Sequence, residues 1–192
     1  MPIIRRHQRP SPTGSGSIPR RRGRAALAGG LALAALAVSS VPVADAGQAD
    51  LAEVRAATAK FQRVEVAERA GHQLGWKDPF PISGCIAHPT EGAMGYHWFN
   101  HAAIEDITLD PLRPEGLVYE SLPNGKMHLV AVEWVVPKDA WEAAGNVEPP
   151  TVLGQELGVL NPALGWYILH AWVWKPNPAG MFENWNPDVV CP

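Results

Sequence analysis

Cysteine is scarce in this chain, with only Cys85 and Cys191 among 192 residues. So low a count excludes a disulfide-dense scaffold and a four-cysteine metal knot. Also missing are a Gly-x-Ser-x-Gly elbow and a phosphate-cradling glycine loop, which excludes the usual serine hydrolase and nucleotide-binding classes. No internal repeat or low-complexity tract follows residue 46. Bases are few there too. Seven of the 16 Lys and Arg and one of the 19 acids precede residue 47, leaving nine bases against 18 acids and a net charge near −9. A surface that acidic repels phosphate backbones and anionic lipid, so nucleic acid is not an expected partner. Metal cations and uncharged small molecules remain.

What is present begins with a basic, then apolar, then small-residue order at the N-terminus. Arg5, Arg6, Arg9 and Arg20 to Arg24 precede an Ala, Leu, Gly and Val run to Val43, and Ala44-Asp45-Ala46 supplies small residues for cleavage. The pattern is that of a signal peptide over residues 1–46, either twin-arginine or general secretory, with a single domain over 47–192. The apolar run is short and diluted for a membrane span, so no stable anchor is expected after cleavage. The expected location is secreted or extracytoplasmic, in the cell envelope. In that setting Cys85 and Cys191 are expected to pair.

Asp50 and Glu53 resemble a capping box, and Val54, Phe61, Val64 and Ala67 recur at helical spacing, predicting an amphipathic helix over Leu51–Ala70 that Gly71 ends. Strands are expected at Met94–Asn100, Gly116–Ser121, Met127–Val136 and Trp166–Trp174, the middle two joined at Asn124-Gly125 as a type I′ hairpin. That turn pairs positions whose numbers sum to 249, setting Gly116 opposite Glu133 and Glu120 opposite Leu129. Residues 71–95 and 137–162 read as irregular, the latter with one helical turn, and Lys175–Pro192 as a proline-rich tail lying over one end of the sheet. The fold class is α+β: an N-terminal helix packed on a curled antiparallel sheet or small barrel.

His97, His101 and His170 fall in or beside strand-like runs, and Glu133 interrupts Leu129–Val136, where polar groups need a partner. Two imidazoles and a carboxylate suit zinc, copper or iron with a position left for water or substrate, so His97, Glu133 and His170 form the candidate metal set. His101 and Glu120 are outer candidates. Glu120 lies about 13 Å along the strands from Glu133. A structural network in which His170 and Glu133 satisfy each other explains the same residues. A metal-free His170–Glu133 general base is a third reading, without a nucleophile motif to support it. Tyr96, Trp172 and Trp174 are the candidate ligand-binding aromatics, and the alternative is a tryptophan-rich structural or surface-interaction protein with no catalysis. His72, His88 and His128 read as solvated.

The tail run from Lys175 to Pro187, with Gly92-Ala93-Met94-Gly95-Tyr96-His97 and Leu169-His170-Ala171-Trp172-Val173-Trp174, resembles a family of exported bacterial proteins over nearly all of residues 47–192. The resemblance implies export and brings no activity and no functional residue.

Overall fold

A computed structural model describes residues 44–76 and 81–192, with side chains in the first helix from Asp50 onward. The export segment therefore lies outside the described residues, apart from its last three. Among the described residues no helix is long and apolar enough to cross a membrane.

The expected single helix is three pieces: α1 (Ala44–Thr58), a 3-10 turn (Ala59–Gln62) and α2 (Val64–Arg69). The Thr58 hydroxyl bonds back to the Val54 carbonyl at 2.7 Å, a contact that bends helices, and Arg63 is extended at φ −102° and ψ 112°. The break leaves Val54, Phe61 and Ala67 buried as the spacing requires. Gly71 closes α2 at φ +98°, the left-handed cap expected of it.

Strands β1 (His72–Leu74), β2 (Cys85–His88), β3 (Gly92–Asn100), β4 (Gly116–Ser121), β5 (Met127–Pro137) and β8 (Trp166–Ala171) form one sheet. Its order is β1-β3-β4-β5-β8, with β2 beside β1 along the same edge of β3, and every pairing is antiparallel. The sheet is open, so the barrel alternative is set aside in favour of a mixed α/β domain. Short elements fill the connections: α3 (His101–Glu105), α4 (Lys138–Ala143) and the two-residue pair β6 (Thr151–Val152) and β7 (Gln155–Glu156).

The β4–β5 hairpin reaches its expected register by an unexpected route. Leu122 bonds Lys126 and only Gly125 takes positive φ (+74°), so the loop is Pro123-Asn124-Gly125 rather than a two-residue turn. This pairs Ser121 with Met127 and Glu120 with His128, one step from expectation. A bulge between Val118 and Tyr119 then takes up Val130, and Gly116 faces Glu133 after all.

One face of the sheet packs Leu117, Leu129, Val132 and Trp134 against Leu51, Val54 and Phe61 of the helical segment. The other face carries two smaller apolar clusters. Val118, Ala131 and Trp172 meet Val189 of the tail in one, while Phe99, Val135 and Trp166 meet Ile104 in the second. The tail is fixed by an Asn186–Ala93 bridge and by the Cys85–Cys191 disulfide.

Candidate metal centre

Strand alternation puts a polar group between those two clusters from each of three strands. His97 precedes Phe99 by two residues on β3; Glu133 lies between Ala131 and Val135 on β5; His170 on β8 lies between Ile168 and Trp172, the latter just past the strand's end. His170 is the register partner of Glu133. β4 separates β3 from β5, and at the crossing it offers Gly116. A methyl group on Gly116 would sit 2.9 Å from Glu133 Oε2 and 3.0 Å from its Cβ, so the bare backbone is what lets the carboxylate reach toward His97.

Glu133 Oε1 lies 3.0 Å from His170 Nδ1 and 3.4 Å from His97 Nε2. All three residues are buried, at 1 to 2% exposure, and one ligand atom from each falls within 4.8 Å of the others. This group could hold a metal ion. Stacking fixes the ring planes: His97 on Phe99 at 5.7 Å and His170 on Trp172 at 4.9 Å, with the two imidazoles edge to face. His97 Nδ1, both nitrogens of His170 and Glu133 Oε2 make no hydrogen bond in the protein. The 3.0 Å approach of His170 to Glu133 is thus an electrostatic contact. Burial alone would raise the Glu133 carboxyl, but the charge of His97 and the nitrogen contacts of His170 and His97 outweigh it and hold it below the usual carboxylate range.

A cavity of about 380 Å³ opens against His97 and Glu133, walled by Phe99, Trp166, Ile168 and Trp185. A second of about 330 Å³ reaches His170 past Glu156, Phe182 and Asn184 and shares Leu160 and Ile168 with the first.

The outer candidates lie elsewhere. His101 opens α3 against Trp76 at 4.3 Å, with Nε2 3.4 Å from the Gly75 carbonyl. Glu120 is bonded to Lys175 at 2.6 Å and contacts His128 at 3.1 Å. Because β8 ends at Ala171, Trp174 leaves the alternation while Trp172 stays on the His170 side: Trp172 donates its indole N–H to the Glu183 carbonyl, Trp174 to the Thr58 hydroxyl, and they pack in different clusters. Tyr96 is half-buried against the helical-side core. His72, read as solvated, is buried on β1 beside Phe61, and desolvation holds it below its ordinary pKa. Glu115 escaped notice altogether. It is 1% exposed, its Oε2 accepts from Val135 N at 3.0 Å, and burial pushes its carboxyl up to about 8. The signal for it was weak, since it sits in a Pro-Glu-Gly stretch that reads as a turn.

The fold and site together define a disulfide-linked mixed α/β domain with a buried His/Glu/His group. Comparison with family models, curated proteins and solved structures finds no match.

Proposed function

We propose that this is an exported domain that binds a divalent transition metal through His97, Glu133 and His170 and presents it to a small molecule. The observation that carries the reading is that three buried side chains each bring one ligand atom within 4.8 Å of the others while polar atoms of all three lack hydrogen-bond partners. Each unmade hydrogen bond in such a place costs about 1–3 kcal/mol, and an ion that takes one nitrogen from each imidazole and one carboxylate oxygen offsets part of that cost and leaves the second oxygen free to accept from a ligand. Two neutral imidazoles and a carboxylate are a borderline donor set suited to zinc, copper or iron, and three protein ligands leave positions for water or substrate. The disulfide and the absence of a spanning helix among the described residues agree with an extracytoplasmic site.

The second reading, a purely structural role, is favoured by the 3.0 Å approach of His170 to Glu133, which resembles a charge network closing the sheet. Elemental analysis and zinc titration of the purified protein separate the two. The metal reading expects one ion per chain, with affinity reduced more than about 100-fold in both His97→Ala and His170→Ala. That exceeds the 10- to 100-fold typical of groups that only orient a ligand. Absence of any bound or bindable metal leaves the structural network.

A further inference from the structure

Resting on the metal reading, the shape and lining of the larger cavity point to its occupant. We infer that it takes a small, uncharged phenol, the ring held among Phe99, Trp166 and Trp185 and the hydroxyl oxygen at the metal.

The lining is decisive about polarity. Apart from the indole N–H groups of Trp166 and Trp185, only His97, Glu133 and Asn161 bring polar side-chain atoms to the cavity lining. A sugar brings a hydroxyl on nearly every carbon and would leave most of them without partners. A molecule with one polar end and an apolar body is satisfied. At about 380 Å³ the cavity stands at the small end of ligand sites, which fits a single substituted ring.

Aromatic walls face it from two independent parts of the chain. Phe99 and Trp166 meet edge to face at 5.5 Å on the sheet, and Trp185 arrives from the tail. An aromatic guest gains edge and face contacts there that an aliphatic one does not. Glu133 lines the cavity, and its buried Oε2 has no partner in the protein, so it can accept from an O–H.

Charge selects among aromatic guests. With a divalent ion, two neutral imidazoles and one carboxylate, the site carries net positive charge, so an aromatic amine in its ammonium form is repelled. An aromatic carboxylate must cross a domain with twice as many acids as bases and give up its hydration in an apolar pocket. A neutral phenol meets neither penalty.

The test uses cobalt(II) in place of the native ion, since its visible bands report changes in coordination. The cobalt-loaded protein is titrated with 4-methylphenol, and separately with toluene, benzylamine and glucose. The expected result is a saturable change in the cobalt bands with 4-methylphenol alone. Leu160→Trp, at the partly exposed mouth, and Ile168→Trp, on the inner wall, are cavity-filling variants. Each is expected to weaken 4-methylphenol at least tenfold while cobalt affinity stays within threefold. Bound cobalt whose bands ignore 4-methylphenol, or respond to it equally in both filled variants, overturns the phenol assignment and leaves the metal site standing. Failure to bind cobalt at all overturns the metal reading and this assignment with it.

Discussion

Gly116 is the residue on which the geometry of the buried group turns. Its backbone is not in the left-handed region, so conformational freedom is not the reason for glycine there; space is. A methyl group at 116 meets Glu133 Oε2 at 2.9 Å, Glu133 Cβ at 3.0 Å and Phe99 Cε1 at 3.2 Å, all inside ordinary contact. Overpacking of this kind costs about 1–3 kcal/mol, and here the displaced atoms are the carboxylate and the aromatic wall behind His97. Gly116→Ala is therefore expected to lower the melting temperature and also to weaken zinc binding at least tenfold. Gly125→Ala is the control: nothing lies within 4 Å of its methyl, but φ +74° strains any side chain, so it should lose stability and keep metal affinity. Equal zinc affinity in both variants would show that the carboxylate does not need the space over Gly116. The same residue was legible in advance, because hairpin register alone set Gly116 opposite Glu133. The gathering of His97, Glu133 and His170 into one buried group was likewise readable from polar residues inside apolar strands. Phe99, Trp166 and Trp185 as cavity walls were not, since a strand tryptophan reads the same whether it borders a void or fills a core.

At the scale of elements, β5 outruns β4, and Glu115 repairs the mismatch. β4 begins at Gly116, so Val135 N finds no backbone partner on that side and bonds Glu115 Oε2 instead. Burial keeps this carboxyl protonated up to about pH 8, against 4.5 when unfolded. The raised value makes the unfolded state the one that releases its proton first. Stability from this group is complete below pH 4.5 and falls by about 1.4 kcal/mol per unit as pH rises toward 8. Glu115→Gln keeps an acceptor for Val135 and removes the proton, so between pH 5 and pH 8 the wild type should lose roughly 5 °C or more of melting temperature beyond what the variant loses. Parallel melting curves for the two proteins would refute the assignment. Elements with strong local signals were readable: β4 matches its expected bounds, and β3 and β5 fall within two residues of theirs. The hairpin succeeded through two compensating departures, a three-residue loop and a one-residue bulge, neither of which alternation reveals. β2 was hidden because Cys85–His88 pairs with β3 only through tertiary contact, and the end of α1 at Thr58 because its hydroxyl competes for the Val54 carbonyl.

For the whole molecule, the question is what holds the tail against the face that carries the His97, Glu133 and His170 group. Trp172 N bonds the Met181 carbonyl at 2.9 Å, Asn186 bridges Ala93 and is fully buried, and Val189 enters the cluster of Val118 and Ala131. Phe182 and Trp185 thereby become walls of the two cavities that reach the buried group. These contacts are short-range on one side only: the tail closes on β2 and β3, about 100 residues earlier in the chain, so its docking restricts a very long loop. The Cys85–Cys191 bond spans 106 positions, and the chain-entropy model assigns a loop of that length close to 5 kcal/mol of stabilisation, acting on the unfolded state. That is a large part of the stability of an ordinary domain. The bond should therefore matter more to global stability than to the geometry of the site, which the bridge and the buried valine also fix. Urea unfolding of Cys85→Ser/Cys191→Ser is expected to show stability lower by about 3–5 kcal/mol, while zinc affinity in native buffer stays within a few-fold of wild type. A variant as stable as the wild type would mean that the native contacts of the tail, and not loop closure, carry the stabilisation. If zinc affinity collapsed in a variant that is still folded, the disulfide would instead be what positions the tail over the metal.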